Sequence, residues 1–270
     1  MPQHEIITSH RNRRIIEARK LDQRKQRRRQ GRFLVEGLQA LGMALEAQIA
    51  PDELFVCEEL LTGQTGPALV LGFSDLGRPP TFVSAEVLDS LSTREQAQGL
   101  VAVFPSITQA IEALPLDVPG LTLVLDRLSD PGNLGTLIRT ADAIGATGVV
   151  LIAPSADPTD PKAVRASMGS IFNLPITESN DPAALFDLLD QHTVTSIAAD
   201  PQQGVDWGEG LWRDRCALLL GSEGPGLSDD LREHITAWAR LPMHGKAESL
   251  NVAVAGGILM YAWLRTQRPD

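Results

Sequence analysis

Three short segments of the chain carry polar side chains at spacings that could serve catalysis. Asn133 and Arg139 lie six residues apart, and Glu223 follows the apolar run "LLLGS". Ser249 and Asn251 immediately precede a long apolar segment. An arginine near amides and a carboxylate can bind a phosphate or stabilise a developing oxyanion, which is chemistry that requires no metal.

Each of these side chains also has an ordinary structural explanation. Asn133 could cap the helix predicted for "NLGTLIRTADAIGA", and Arg139 could be a surface charge, since caps of this kind are common. On a helix the two side chains would lie about 120° apart. Ser249 could likewise be the N-cap of the last helix. These residues alone leave both interpretations open.

The glycine-rich segment "GSEGPG" (221–226) resembles a nucleotide-phosphate loop only in its glycines. The dinucleotide pattern G-x-G-x-x-G is not present in it, and no GKS or GKT occurs anywhere in the chain. Pro225 removes a backbone N–H, and Glu223 would repel a phosphate. We therefore expect a neutral or cationic ligand, such as a nucleoside that carries a sulfonium. A nicotinamide-dependent dehydrogenase is disfavoured for the same reasons.

The elements around these segments alternate between strand-like and helix-like patterns and predict an α/β protein. Residues 1–104 are expected to form a small α/β domain, and the proline-containing stretch 105–119 a linker. Residues 120–270 alternate apolar strands with helices, which predicts a parallel sheet covered on both faces. Ligands of such sheets bind outside the carboxyl ends of the strands, where all three polar segments would lie.

Charge is distributed very unevenly along the chain. Residues 1–40 contain eleven Lys and Arg against four Asp and Glu, although the whole chain carries a formal net charge of −10. A basic end on an acidic protein is typical of polyanion binding, with a solvated tail as the alternative. The residues predicted to contact the phosphates of a nucleic acid are Arg11, Arg13, Arg14, Arg27, Arg28 and Arg29.

Several other classes of protein are disfavoured. The start of the chain lacks the apolar core of a secretory signal, and the apolar run 250–264 is too short and interrupted to span a bilayer. Cys57 and Cys216 lie far apart, which indicates free thiols and a cytoplasmic location. The scattered histidines predict no metal site.

Three segments together resemble one family: "NLGTLIRTADAIGATGVVL", "LLLGSEGPGLS" and "LPMHGKAESLNVAVAGGILMY". They are similar, in order and spacing, to the motifs of the SpoU family of S-adenosylmethionine-dependent RNA ribose 2′-O-methyltransferases, part of the SPOUT superfamily. The resemblance covers residues 121–266, with a weaker similarity of "RFLVEG" and "QGLVAVF" to a ribosomal-protein-like substrate-binding domain. It implies a C-terminal trefoil knot, an exception to the rule that chains are unknotted, and a homodimer formed through the catalytic domain.

The same resemblance implies roles for individual residues. The implied cofactor-binding residues are Gly221, Leu241, Met243 and Leu250. The implied catalytic residues are Asn133, Arg139, Glu223, Ser249 and Asn251. In this interpretation Arg139 positions the substrate and stabilises the alkoxide, because a guanidinium is a poor base, while Glu223 and Asn251 hold Arg139 in place.

Two alternatives remain open at this point. The chain could be a non-catalytic RNA-binding protein that retains the fold, and its RNA could be transfer RNA instead of the ribosomal RNA that the N-terminal domain favours. The sequence does not identify the nucleotide.

Overall fold

A computed structural model describes residues 5–93, 97–208 and 210–267. The α-helices of the described ranges are α1 (Arg13–Lys20), α2 (Arg24–Gln30), α3 (Leu38–Glu46), α4 (Thr65–Asp75), α5 (Ala85–Asp89), α6 (Pro131–Ala143), α7 (Pro161–Ser167), α8 (Pro182–Gln191), α9 (Asp229–Arg232) and α10 (Val252–Gln267). Short 3₁₀ helices cover Glu58–Leu60, Ile111–Ala113 and Ser170–Phe172.

The strands form two sheets. They are β1 (Arg32–Glu36), β2 (Glu53–Val56), β3 (Thr81–Phe82), β4 (Leu100–Pro105), β5 (Thr108–Gln109), β6 (Gly120–Asp126), β7 (Gly148–Ile152), β8 (Ile176–Ser179), β9 (Thr195–Ala199), β10 (Val205–Asp206), β11 (Arg215–Leu220) and β12 (Ala237–Arg240). One sheet has the order β1-β4-β2-β3, and the other has the order β10-β12-β9-β11-β6-β7-β8-β5.

The chain divides into two compact units whose boundaries differ from the predicted ones. The first unit runs through Ser106 and also includes Asp157–Asn173, and the second contains Ile107–Ala156 and the chain from Leu174 onward. The stretch expected to be a linker belongs largely to the second unit, because β5 pairs in parallel with β8 and Leu114 and Leu116 are buried. Residues 157–173, expected in the catalytic domain, belong to the first unit.

In the first unit, β4 pairs antiparallel with both β1 and β2. An aromatic core forms around this sheet, and the ring centroids of Phe104 and Phe172 lie 4.8 Å apart. Ile15 and Leu21 of the basic N-terminal segment are fully buried in a second cluster. The basic segment is therefore built into the fold by its apolar positions, so it is not a solvated tail.

The second unit contains the parallel sheet that the sequence predicts. Every strand pair in it is parallel, and all seven residues of the central strand β6 are buried. A strand covered on both faces needs the continuous apolar run that β6 and β11 have. The carboxyl ends of β6, β9, β11 and β12 thus meet at one edge, where the candidate residues lie.

Helix α10 packs against α6 in the second unit. Gly256 allows the close approach, because a Cβ atom there would lie 2.6 Å from methyl groups of both Leu137 and Leu220. This contact brings the first turn of α10 beside that of α6. Within the described ranges, none of the helices has the length and apolar character needed to cross a membrane.

Candidate functional site

A cavity of about 400 Å³ opens at the carboxyl edge of the parallel sheet. Its walls come from the ends of β9, β11 and β12 and from the segment that leads into α10. All four predicted cofactor-binding residues line it, and so do two of the predicted catalytic residues. These six residues are Gly221, Leu241, Met243, Leu250, Glu223 and Ser249.

The loop after β11 is folded tightly back on itself. Ser222 and Gly226 exchange two backbone hydrogen bonds of 3.1 Å, which closes a turn around Glu223. A Cβ atom on Gly221 would lie 2.2 Å from the carbonyl carbon of Gly226. Gly221 is thus required by the packing of this loop, in addition to its place in the cavity wall.

A buried carboxylate anchors the end of the same loop. The backbone N–H of Ser228 donates to Asp126 Oδ2 at 2.7 Å, and Asp126 is fully buried at the end of β6. Its other oxygen lies 3.3 Å from Nε of Arg127. Asp126 therefore ties the loop that carries Glu223 to the strand that leads into α6.

The first turn of α6 leaves the Asn133 side chain available for other contacts. Asp130 is the N-cap, since its side chain accepts from the backbone N–H of Asn133 at 2.8 Å, and Pro131 follows it in the first turn. The alternative in which Asn133 caps this helix is therefore wrong. Its amide Nδ2 instead donates to Glu223 Oε1 at 2.6 Å.

The start of α10 also differs from the prediction. Asn251, not Ser249, caps this helix: its Oδ1 accepts from the backbone N–H groups of Ala253 and Val254 at 2.9 and 3.3 Å. Its Nδ2 donates to Asn133 Oδ1 at 3.1 Å. Ser249 lies in the cavity wall and is exposed.

Asn133, Glu223 and Asn251 together form what we call the amide cluster. Because each asparagine amide offers one donor and one acceptor group, the contacts run in one direction, from Asn251 through Asn133 to the Glu223 carboxylate. Asn133 lies in the first turn of α6, Glu223 in the loop after β11, and Asn251 directly before α10. The amide cluster therefore fixes the relative positions of the three sequence segments.

Arg139 is placed differently from the expectation. It is exposed on α6, and within the described ranges its guanidinium has no hydrogen-bond or ion-pair partner. The expected contacts in which Glu223 and Asn251 hold Arg139 are not made, because both side chains bind Asn133 instead. Arg139 is thus left available for a ligand.

Asp200, which the sequence reasoning missed, also lines the cavity. Its Oδ1 accepts from the backbone N–H groups of Gln202 and Gln203 at 2.8 and 3.1 Å. Burial by itself would raise the pKa of Asp200, but these hydrogen bonds, with further ones from the side chains of Gln203 and Arg232, outweigh it and hold the pKa below its ordinary value. Its position directly after the apolar strand "TSIAA" was the signal available in the sequence.

One predicted RNA-contacting residue is assigned wrongly. The Arg27 side chain is only 3% exposed, and its Nη2 lies 2.7 Å from Asp157 Oδ2 within the first unit. Its Nη1 donates to the backbone carbonyls of Leu21 and Asp22. A guanidinium buried in this way supports the fold and is not available to an RNA phosphate.

The other five arginines of that prediction are exposed. Arg14 is nevertheless engaged within the protein, since its Nε lies 2.7 Å from Glu53 Oε2 and its Nη2 donates to Thr81. Among the described residues, no three His, Cys, Asp or Glu side chains are grouped closely enough to hold a metal ion.

Two family models match the chain. Residues 120–261 match the model described as the SpoU rRNA Methylase family. Residues 12–102 match the model described as the MRM3-like substrate binding domain. The first match spans the amide cluster and all residues that line the cavity, and the second spans most of the basic N-terminal segment.

Relatives and solved structures resemble the chain over nearly its whole length. An uncharacterized tRNA/rRNA methyltransferase of Synechocystis sp. is 35% identical over 97% of this chain and 94% of its own. The 23S rRNA (guanosine(2553)-2′-O)-methyltransferase RlmP of Bacillus subtilis is 31% identical over 94% of this chain and 97% of its own. The crystal structure of an AdoMet-bound rRNA methyltransferase from Sinorhizobium meliloti has a TM-score of 0.85 and 29% identity, covering 99% of this chain and 100% of that one.

Proposed function

The chain belongs to the SpoU rRNA methylase family and is an S-adenosylmethionine-dependent RNA ribose 2′-O-methyltransferase, and from this premise we propose that its substrate is ribosomal RNA. Membership in this family implies the trefoil knot in the second unit. The observation that supports methyl transfer at this site is the amide cluster, in which Asn133, Glu223 and Asn251 are joined beside the cavity. The assignment to ribosomal RNA is supported by a relative and a solved structure that are both named for it.

The residues of the cavity fit S-adenosylmethionine. Leu220, Leu241, Leu250 and Leu259 provide an apolar wall for a flat base, and Gly221 contributes to the same wall without a side chain. A volume of about 400 Å³ lies within the range of small-molecule sites. The carboxylates in the wall suit a ligand that carries positive charge.

The reaction requires the chain to stabilise a developing negative charge on the ribose 2′-oxygen. When bound, S-adenosylmethionine would supply the methyl group from its sulfonium, which becomes a neutral thioether, while the proton of the 2′-hydroxyl passes to water. The Arg139 guanidinium, having no partner among the described residues, stabilises the alkoxide or binds the adjoining phosphate. Asn133, Glu223 and Asn251 position the loops, and Ser249 contributes to the wall of the site.

The test of this function is methyl transfer to defined RNA. The chain is incubated with methyl-labelled S-adenosylmethionine and with ribosomal or transfer RNA that lacks the modification, and the labelled nucleotide is mapped. We expect label on a ribose 2′-oxygen of ribosomal RNA. Label in transfer RNA alone would reject the proposed substrate, and no label in either would favour a non-catalytic RNA-binding protein.

The role of Arg139 is tested by Arg139→Lys. A lysine keeps the charge but loses the planar, two-pronged donor geometry. We expect kcat to fall by about 100-fold with little change in cofactor affinity. Arg78→Lys, at another exposed arginine, is the matched control. A variant that kept most of the wild-type turnover would rule out this role.

The RNA is held by the exposed arginines of the N-terminal segment in this proposal. Arg11, Arg13, Arg28 and Arg29 present their side chains at the surface of α1, α2 and the preceding turn, and half-exposed Arg14 lies beside them. Positive charge of this density favours contacts to phosphates over contacts to bases.

We also propose a cytoplasmic homodimer formed through the second unit. Val254 and Tyr261 of α10 are 51% and 53% exposed and, being seven residues apart, lie on one face of the helix. A second copy of the chain would cover this face. Sedimentation velocity should show a dimer that Tyr261→Glu dissociates, whereas a wild-type monomer at micromolar concentration would exclude the homodimer.

The two free cysteines, both buried, agree with the reducing compartment of the proposed cytoplasmic location.

A further inference from the structure

The charged side chains in the cavity wall are all carboxylates. Asp200, Glu223 and Glu248 line it, and among the described residues no Lys, Arg or His does. A wall of this charge favours a cationic ligand and disfavours an anionic one. The three carboxylates nevertheless differ in how strongly their charge can attract such a cationic ligand.

Asp200 is the carboxylate best placed to act through its charge. Glu223 is bound to Asn133 in the amide cluster, and Glu248 is exposed, so that water screens its field. The Asp200 side chain is only 17% exposed. Its oxygens are also fixed in direction, because Oδ1 accepts from the backbone N–H groups of Gln202 and Gln203.

The charge of Asp200 is retained at neutral pH. Burial opposes ionisation, but the hydrogen bonds donated to its carboxylate hold the pKa below the ordinary value. Arg232 lies behind it, with Nη2 3.4 Å from Asp200 Oδ2 and its guanidinium 4.8 Å from the Trp238 ring, and is not part of the cavity wall. Arg232 together with the three carboxylates of the wall still gives a net negative charge.

We propose that Asp200 is a cofactor-selecting residue, whose carboxylate favours the sulfonium form of the bound nucleoside over the neutral thioether left after methyl transfer. The inference rests on the proposed function. The two nucleosides share their adenosine, amino and carboxylate groups and differ by one methyl group and one positive charge. A fixed negative charge in the wall therefore distinguishes them, which promotes exchange of the spent thioether for a new methyl donor.

The experiment measures equilibrium binding of S-adenosylmethionine and S-adenosylhomocysteine to the full chain without RNA, by calorimetry. In Asp200→Asn the amide oxygen can still accept from the backbone N–H groups of Gln202 and Gln203, but the charge and the hydrogen bonds from the Gln203 and Arg232 side chains to Oδ2 are lost. We expect the Kd for S-adenosylmethionine to rise about tenfold while the Kd for the thioether changes less than about twofold. Asp206→Asn, at an exposed carboxylate outside the cavity wall, should change neither.

The ratio of the two dissociation constants separates charge from structure. A disturbed loop, partial unfolding or the loss of a hydrogen bond to the shared ribose would weaken the binding of both nucleosides equally. An equal rise in the two dissociation constants would therefore overturn the proposal. Unchanged binding of both would also overturn it. Asp200→Glu, which keeps the charge, should restore the wild-type ratio. Binding of neither nucleoside by the wild-type chain would reject the proposed function itself.

Discussion

At the scale of single residues, Asn133 is important because both its amide nitrogen and its amide oxygen form hydrogen bonds. Nδ2 donates to Glu223 and Oδ1 accepts from Asn251, so one side chain links the loops after β6 and β11 to the start of α10. A carboxylate could not serve both contacts, since it has no donor when ionised. The residue type is thus dictated by its two neighbours.

Asn133→Asp should therefore disrupt the site while hardly changing the shape of the side chain. It would place a carboxylate against Glu223 Oε1, where the present Nδ2 donates at 2.6 Å. We expect turnover to fall on the order of 100-fold, because the catalytic loops separate, with a smaller change in melting temperature. Methyl-transfer rates at saturating RNA and calorimetric melting measure the two effects.

Asn180→Asp is the matched control for this prediction, because Asn180 is exposed and lies outside the cavity wall. It should retain wild-type turnover. If Asn133→Asp retained it as well, the amide cluster would have no part in positioning the site.

At the scale of elements, the loop 221–228 depends on the absence of a side chain at its first residue. A Cβ atom on Gly221 would collide with backbone atoms of Gly226 and Leu227 at 2.2 and 2.4 Å, and backbone cannot move aside as the end of a side chain can. Gly221→Ala should open the turn and weaken S-adenosylmethionine binding by at least about tenfold. Calorimetric titration measures the loss.

Gly245→Ala is the corresponding control, since a Cβ atom there meets nothing within 4 Å in a neighbouring loop. The affinity of Gly245→Ala for S-adenosylmethionine should equal that of the wild-type chain. Equal affinity in Gly221→Ala would mean that the turn tolerates the extra methyl group.

The elements also show what the sequence could and could not predict. Continuous apolar runs such as β6 and β11 identified the parallel sheet, because burial on both faces leaves a simple local pattern. Asp130 and Asn251 as helix caps were missed, since several polar residues in each loop could serve and the choice depends on tertiary contacts. Residues 157–173 were assigned to the wrong unit because Asp157 finds its partner, Arg27, 130 residues away.

At the scale of the whole molecule, that buried ion pair makes the stability of the first unit sensitive to acid. Burial would raise the pKa of Asp157, but hydrogen bonds from Thr159 and the Arg27 charge outweigh it and hold the pKa below the ordinary 3.8. A lowered pKa in the folded state stabilises the fold above the unfolded value. That contribution is lost as pH falls through the lower folded value.

Asp157→Asn should therefore lower the free energy of unfolding by about 3 kcal/mol at pH 7, because Arg27 is left without its closest partner. The difference from wild type should shrink near pH 3, below the ordinary value of 3.8, because the carboxyl of the unfolded wild-type chain takes up a proton there more readily than that of the folded chain. Thermal unfolding at both pH values measures this. Asp89→Asn, at an exposed carboxylate of the same unit, should change little; an Asp157→Asn effect independent of pH would contradict the electrostatic explanation.

The same pair divides the basic segment into arginines that support the fold and arginines that can meet RNA. Arg27 is buried, whereas Arg29, on the same helix α2, is exposed.

Arg29→Gln should weaken binding of ribosomal RNA several-fold and reduce the slope of log affinity against log salt by about 1, because one phosphate contact is lost. Arg78→Gln, at an exposed arginine outside the segment, should leave the slope unchanged. Titrations of the chain with ribosomal RNA at salt concentrations between about 50 and 200 mM measure this slope. An unchanged slope in Arg29→Gln would place the RNA on another face of the first unit.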